Sequence, residues 1–107
     1  MKISIEEGLD QLKASGRLFL ELFTHGTLSV EIYQPVNKDL QLPHDRDEVY
    51  IVISGHGDFY AEGNMEPFKA GDFLFVPAGM EHRFENFSSD FVTWVLFYGP
   101  KGGEKPA

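Results

Sequence analysis

The stretch Gly71-Asp72-Phe73-Leu74-Phe75-Val76-Pro77-Ala78-Gly79-Met80-Glu81-His82-Arg83-Phe84-Glu85-Asn86 decides how this chain folds. Phe73 to Val76 reads as a short apolar strand, and it stops at Pro77, which has no N–H to give to a sheet. Gly79 lets the chain reverse without a Cβ penalty. A second strand starts at His82, and period two puts His82, Phe84 and Asn86 on one face. The pattern sets an imidazole at the mouth of whatever these two strands enclose.

Working outward, the same punctuation recurs along the chain. Ser4 with Glu7 forms a capping-box pattern ahead of Ile5, Leu9 and Leu12, predicting a helix over Ser4 to Ala14 that stops at Gly16. Gly8 weakens that helix, and packing at a barrel end or on a partner is its expected role. Arg17 to Phe23 and Leu28 to Gln34 flank His25-Gly26 as a strand pair, followed by a polar loop from Pro35 to Pro43. Val49 to Ser54 is apolar on both faces, as expected of a strand covered on two sides. Short strands follow at Asp58 to Glu62 and Glu66 to Lys69, and Phe91 to Tyr98 is a strong last strand. The tail from Gly99 to Ala107 is Gly-, Pro- and Lys-rich and is expected to be flexible. Eight or nine short strands with turns every 8–12 residues indicate an all-β antiparallel sandwich or barrel.

Composition narrows the function classes. At 107 residues, with 42% hydrophobic residues and ten Phe, the chain forms one domain (residues 1–107) with a packed core. A formal net charge of −8 and the lack of a basic patch argue against nucleic acid and anionic membranes as partners. There is no cysteine, so thiolate metal sites and disulfides are excluded. No signal-peptide pattern or apolar run of membrane-spanning length is seen, so a soluble cytoplasmic protein is expected.

Three residues carry the chemistry. His44 follows a proline at the start of a strand, and Glu48 lies four residues on, an even offset that allows a shared face. His82 arrives from another strand. Two imidazoles and a carboxylate can form the facial triad of non-haem iron sites, and they also suit zinc, nickel or manganese. A carboxylate buried unpaired on an apolar strand costs several kcal/mol, so Glu48 wants a cation or hydrogen-bonded partners.

The spacing of Gly71, Pro77, Gly79, His82 and Asn86 resembles the second motif of the cupin family at every fixed position. His44, Glu48 and Gly55 resemble most of the first motif, and the resemblance spans roughly Asp39 to Tyr98. It implies a jelly-roll barrel (a double-stranded β-helix over 17–98, with the helix over 1–16), a homodimer, and one divalent transition metal held by His44, Glu48 and His82. It also implies a small molecule in the barrel and leaves dioxygenase, isomerase, cyclase and decarboxylase chemistry open, because fold does not choose among them. The chain departs from the family at Leu42, where the first ligand His belongs. At most three of the usual four ligands remain, which motivates the alternative of a metal-free module that binds or senses a small ligand without catalysis.

Other residues rank below these. Tyr50 and Val52 share the parity of Glu48 and are expected to line its cavity, with Tyr50 the candidate to touch a substrate. Phe84 is expected as pocket wall. Gln41 adjoins the vacant ligand position with the wrong parity unless a bulge intervenes. His25 is a weaker pocket candidate at a hairpin tip, His56 is expected in solvent, and Asn86 is read as structural. Arg46 and Asp47 read as an exposed ion pair of little energetic worth. The other phenylalanines read as core or interface, and a dimeric scaffold without a pocket is a third reading of that aromatic content. The outer faces of Val49-Ile51-Ile53 and Val92-Trp94-Leu96 offer a dimer surface.

Overall fold

The computed structural model describes residues 1–105; the last two residues of the expected flexible tail, 106 and 107, lie outside the described residues. Helix α1 (Ile5–Ser15) comes first. Strands β1 (Phe19–His25), β2 (Leu28–Tyr33), β3 (Asp47–Ser54) and β4 (His56–Ala61) follow. The chain continues through β5 (Asn64–Lys69), β6 (Phe73–Val76), β7 (His82–Glu85) and β8 (Val92–Tyr98). They form a five-stranded sheet in the order β1-β2-β8-β3-β6 and a three-stranded sheet in the order β5-β4-β7. Every pairing is antiparallel.

Register assigns each strand residue to a face. Glu48 pairs with Phe97 and with Val76, and Tyr50 pairs with Val95 and with Leu74, so these side chains share the inner face of the large sheet. Glu31 pairs with Val95 and Tyr33 with Thr93, which brings β2 onto the same face. Opposite them, Phe59 and Phe84 pair across the small sheet. One core joins the two sheets: Tyr50, Val52, Val76, Phe91 and Val95 pack with Phe59, Phe68 and Phe84. The rings of Phe84 and Phe91 meet at 4.6 Å and those of Tyr50 and Phe84 at 4.8 Å. Such offset and edge-on aromatic pairs add about 0.5–1.5 kcal/mol each beyond the area they bury.

The helix lies on the outer face of the large sheet. Ser4 caps it by accepting the Glu7 N–H on its hydroxyl at 3.1 Å, and Gly16 ends it with φ 70°. Leu12 packs with Ile32 and Val92, flanked by Leu9, Leu20, Leu22, Ile53 and Trp94. Gly8 belongs to this contact: a Cβ there would stand 3.2 Å from Ile32 Cδ1 and 3.3 Å from Leu22 Cδ1. The glycine that weakens the helix therefore lets it sit close to the sheet.

The tail does not behave as a loose end as far as Glu104. Its N–H donates to Asp47 Oδ2 at 2.8 Å, and the Gly102 N–H donates to the Asp45 carbonyl at 2.7 Å. No helix among the described residues is long and apolar enough to cross a membrane.

Gly55, between β3 and β4, shows how tightly the sheets close. A Cβ there would lie 2.6 Å from Phe91 Cα and 2.7 Å from Ser88 Oγ, and its φ is +85°. Overpacking and backbone strain each cost roughly 1–3 kcal/mol, so Gly55→Ala is expected to destabilise by about 2–5 kcal/mol. Gly26→Ala, at φ +58° with nothing within 4 Å, separates the two effects and should cost only about 1–2 kcal/mol. Urea denaturation of both variants checks this, and equal losses would contradict it.

Candidate metal centre

Three separate parts of the chain meet around one carboxylate. Glu48 points inward from β3 and is 1% exposed. His82 opens β7, just beyond the reversal at Pro77 to Gly79, and is 2% exposed. His44 is not on the strand: β3 begins at Asp47, and His44 stands in the irregular connection from β2. Strand parity therefore does not bring His44 to Glu48. The reversal does: the Gly79 N–H donates to the His44 carbonyl at 2.7 Å, and the Ala78 N–H donates to Asp47 Oδ1 at 3.0 Å. The Phe97 ring supports the His44 ring edge-on at 4.9 Å.

Glu48 Oε1 lies 3.1 Å from His44 Nδ1 and 3.1 Å from His82 Nε2. Burial pushes the Glu48 carboxyl upward, but its hydrogen bonds and attraction to the two imidazoles outweigh that and hold it below 4.5. Burial likewise pulls His82 down. The Glu48 hydrogen bond, the Met80 carbonyl and the Glu48 charge outweigh it and raise His82 above 6.5.

The second nitrogen of His82 explains why. His82 Nδ1 lies 2.9 Å from the Met80 carbonyl, which can only accept, so Nδ1 carries a proton. In the neutral ring Nε2 would then turn a lone pair on a carboxylate oxygen, which is repulsive. A cation resolves the conflict, either as a second proton on His82 or as a metal ion between the two. The donor set suits an ion. One atom from each of His44, Glu48 and His82 lies within 4.8 Å of the others. Two donors about 2.1 Å from a common ion, at right angles, stand roughly 3.0 Å apart, close to the 3.1 Å observed here. The Met80 carbonyl is the kind of outer partner that fixes the tautomer of a ligating imidazole.

His44 and Glu48 line a cavity of about 640 Å³ together with Tyr50 and Gln41. Its walls are largely apolar, with Val36, Leu40, Val95 and Phe97 among them, while Arg17 and Lys38 bring positive charge. Glu31 lines it too. Burial raises its pKa first, with Glu21 and Glu48 adding to the effect against a smaller pull from His44 and Arg17.

The remaining sequence candidates separate by position. Tyr50 is buried and its hydroxyl stands 3.1 Å from His82 Nε2. Burial and the Glu48 charge hold its phenol well above 10. Gln41 needs no bulge, because it lies in the same irregular connection as His44, where strand parity has no meaning. Val52 and Phe84 do not line the cavity; inner-face parity carries them into the aromatic core that fills the other end of the fold. His25 is exposed on the β1–β2 hairpin, away from the cavity lining, and His56 is also exposed. Leu42 is 76% exposed and offers nothing to the site. Asn86 falls outside β7, has φ 52° and donates to Asp58 at 3.0 Å, so it shapes a turn and does not continue the His82 face.

Two aspartates in polar stretches of the sequence are buried. Arg46 and Asp47 do not pair: Arg46 donates to the Thr27 carbonyl and covers Phe97, while Asp47 is 4% exposed and ties down the reversal and the tail. Asp39, within the supposed polar loop, is 7% exposed and accepts from Tyr33, Gln41 and the Phe84 N–H. No local pattern marks either one, because Asp47 binds Ala78 and Glu104 and Asp39 binds Phe84, all far away in sequence.

The chain is similar to known proteins. A family model described as Cupin domain matches residues 29–98. An uncharacterized protein of Streptomyces coelicolor is 31% identical over 99 residues, 87% of this chain and 94% of that one. An acireductone dioxygenase of Leishmania infantum is 36% identical over 80 residues, which span 60% of this chain but 23% of the dioxygenase. Among solved structures, a Rhizobium leguminosarum protein of unknown function superposes with TM-score 0.70 at 18% identity, covering 94% of this chain and 97% of its own. A Cupin 2 conserved barrel domain protein of Salinispora arenicola superposes with TM-score 0.66 at 20% identity, covering 78% and 80%. The all-β fold with its short N-terminal helix, the motif residues around the buried carboxylate and the family match agree: this chain belongs to the cupin family.

Proposed function

We propose that this cupin holds one divalent transition ion, zinc, iron, nickel or manganese, on His44, Glu48 and His82, and binds a small molecule in the adjoining cavity. The observation that carries this is the buried Glu48 oxygen at 3.1 Å from two imidazole nitrogens, one of which has its proton committed elsewhere. A bound ion would act as a Lewis acid toward an oxygen of the ligand. The protein's own part is to hold the donors, with Met80 and Phe97 orienting the rings, and to shield the ligand between apolar walls. Dioxygenation is the reaction type that a named relative carries, the acireductone dioxygenase. A metal-free ligand-binding module is the alternative that elemental analysis separates.

The outer face of the large sheet supports a homodimer. Ile51, Phe73 and Phe75 are 40%, 64% and 47% exposed and adjoin one another across β3 and β6, beyond the area α1 covers. A chain of 12.1 kDa is expected to sediment at twice that mass, and Phe75→Glu should return it to the monomer. A 12.1 kDa wild-type species at every concentration would remove the dimer.

Purification without chelator followed by elemental analysis tests the ion. About one ion per chain is expected, with His82→Ala weakening affinity by at least the hundredfold that marks the upper end of outer-partner changes. Trace metal, unchanged by His82→Ala and by EDTA, would leave the metal-free module standing.

The pH dependence follows from the two shifted groups. In the ion-free protein Glu48 is lowered and His82 raised, so their attraction is complete above about 4.5 and below about 6.5. It is lost as pH falls through the Glu48 pKa and as pH rises through the raised His82 pKa. The melting temperature of chelator-treated protein should therefore decline from pH 6 to pH 9. Metal binding displaces the same His82 proton, so affinity should climb by up to about tenfold per pH unit until His82 is neutral, then level off. An ion-free protein that gains stability over that range would contradict the assignment.

A further inference from the structure

Asp39 Oδ1 accepts the Tyr33 hydroxyl at 2.6 Å and the Gln41 N–H at 3.3 Å, while Oδ2 accepts Gln41 Nε2 at 2.6 Å and the Phe84 N–H at 2.8 Å. A carboxylate only accepts, so the end of Gln41 that faces Asp39 is its NH₂ group. The Gln41 carbonyl is thereby turned on Tyr50, whose hydroxyl donates to it at 3.0 Å. A phenol has a single proton. With that proton on Gln41, the Tyr50 oxygen shows only lone pairs to His82 Nε2, 3.1 Å away.

In the ion-free site a proton on Nε2 would supply the matching N–H. Once an ion occupies Nε2, that donor is gone. The oxygen of a side chain 0% exposed then keeps its bond to Gln41 and has a lone pair free to accept. Tyr50 lines the cavity together with His44 and Glu48, so a ligand there would be within its reach. Leu42 contributes nothing there, since it is 76% exposed. An ion held by three protein ligands would have room for a further ligand, and its charge added to Arg17 and Lys38 would outweigh Glu31 and Glu48, which favours an anion in the cavity.

We propose that Asp39 and Gln41 turn Tyr50 into a hydrogen-bond acceptor for the ion-bound ligand, and that this ligand is a small chelating anion with a hydroxyl beside its carboxylate. The inference rests on the metal reading above and names the substrate class for that site. A hydroxyl coordinated to a divalent ion becomes a stronger donor, which is what an acceptor-only phenol oxygen requires.

Glycolate and methoxyacetate form the same chelate ring, but only glycolate has a hydroxyl proton to give. Calorimetry on the zinc-loaded full chain should show glycolate about tenfold tighter than methoxyacetate, the effect of one good hydrogen bond. Tyr50→Phe keeps the ring and its packing and should erase that preference at unchanged zinc content. Gln41→Leu frees the hydroxyl to rotate and should narrow it. A preference that persists in Tyr50→Phe would trace to the bulk of the methyl group and overturn the proposal. Full zinc uptake without any preference in the wild type overturns it alone, whereas no zinc uptake overturns the metal reading and this inference with it.

Discussion

A carboxylate taken out of water must find positive charge, and that requirement at Glu48 organises the rest of the molecule. Its position on the inner face of β3 puts it 1% exposed, where an unpaired charge would cost several kcal/mol. Two imidazoles answer it, and the Met80 carbonyl dictates which nitrogen of His82 faces inward. The site holds either a proton or a metal ion, and the cavity in front of it gives a ligand access to whichever is present.

The turn at Pro77 to Gly79 is what makes the meeting geometrically feasible. It ends β6, delivers His82 to β7 and, through two backbone N–H groups, fastens the connection that carries His44. Asp47 extends the same fastening to the chain beyond β8, so the reversal, the start of β3 and the tail form one polar seam. Asp39 does the equivalent on the other side of the cavity, linking the irregular connection to β2 and β7. Both are buried acceptors with a donor on each oxygen, and satisfied polar networks of this kind rigidify a site. Among the described residues no buried side-chain polar atom lacks a partner.

Apolar and polar duties are divided by position along the inner face. At one end, Phe59, Phe68, Phe84 and Phe91 pack between the sheets. At the other, the side chains leave a cavity that the carboxylate lines. This division explains why inner-face parity was a good guide to Tyr50 and a poor guide to Val52 and Phe84. All three point inward, but only Tyr50 reaches the open end.

The amino-acid order alone determined the strands, the helix with its Ser4 cap and Gly16 stop, the family motifs and the trio His44, Glu48 and His82. These follow from local rules: side-chain period, the missing N–H of proline, the free backbone of glycine and fixed spacing. Tertiary structure alone decided that Asp39 and Asp47 are buried, that the chain past Gly99 is pinned as far as Glu104, and that Gly8 serves a helix–sheet contact. It also decided that His44 arrives from an irregular connection held by a distant glycine. The reason is physical: a hydrogen bond between residues far apart in sequence leaves no periodic trace in either segment, so only the folded chain reveals which polar groups it has taken out of water.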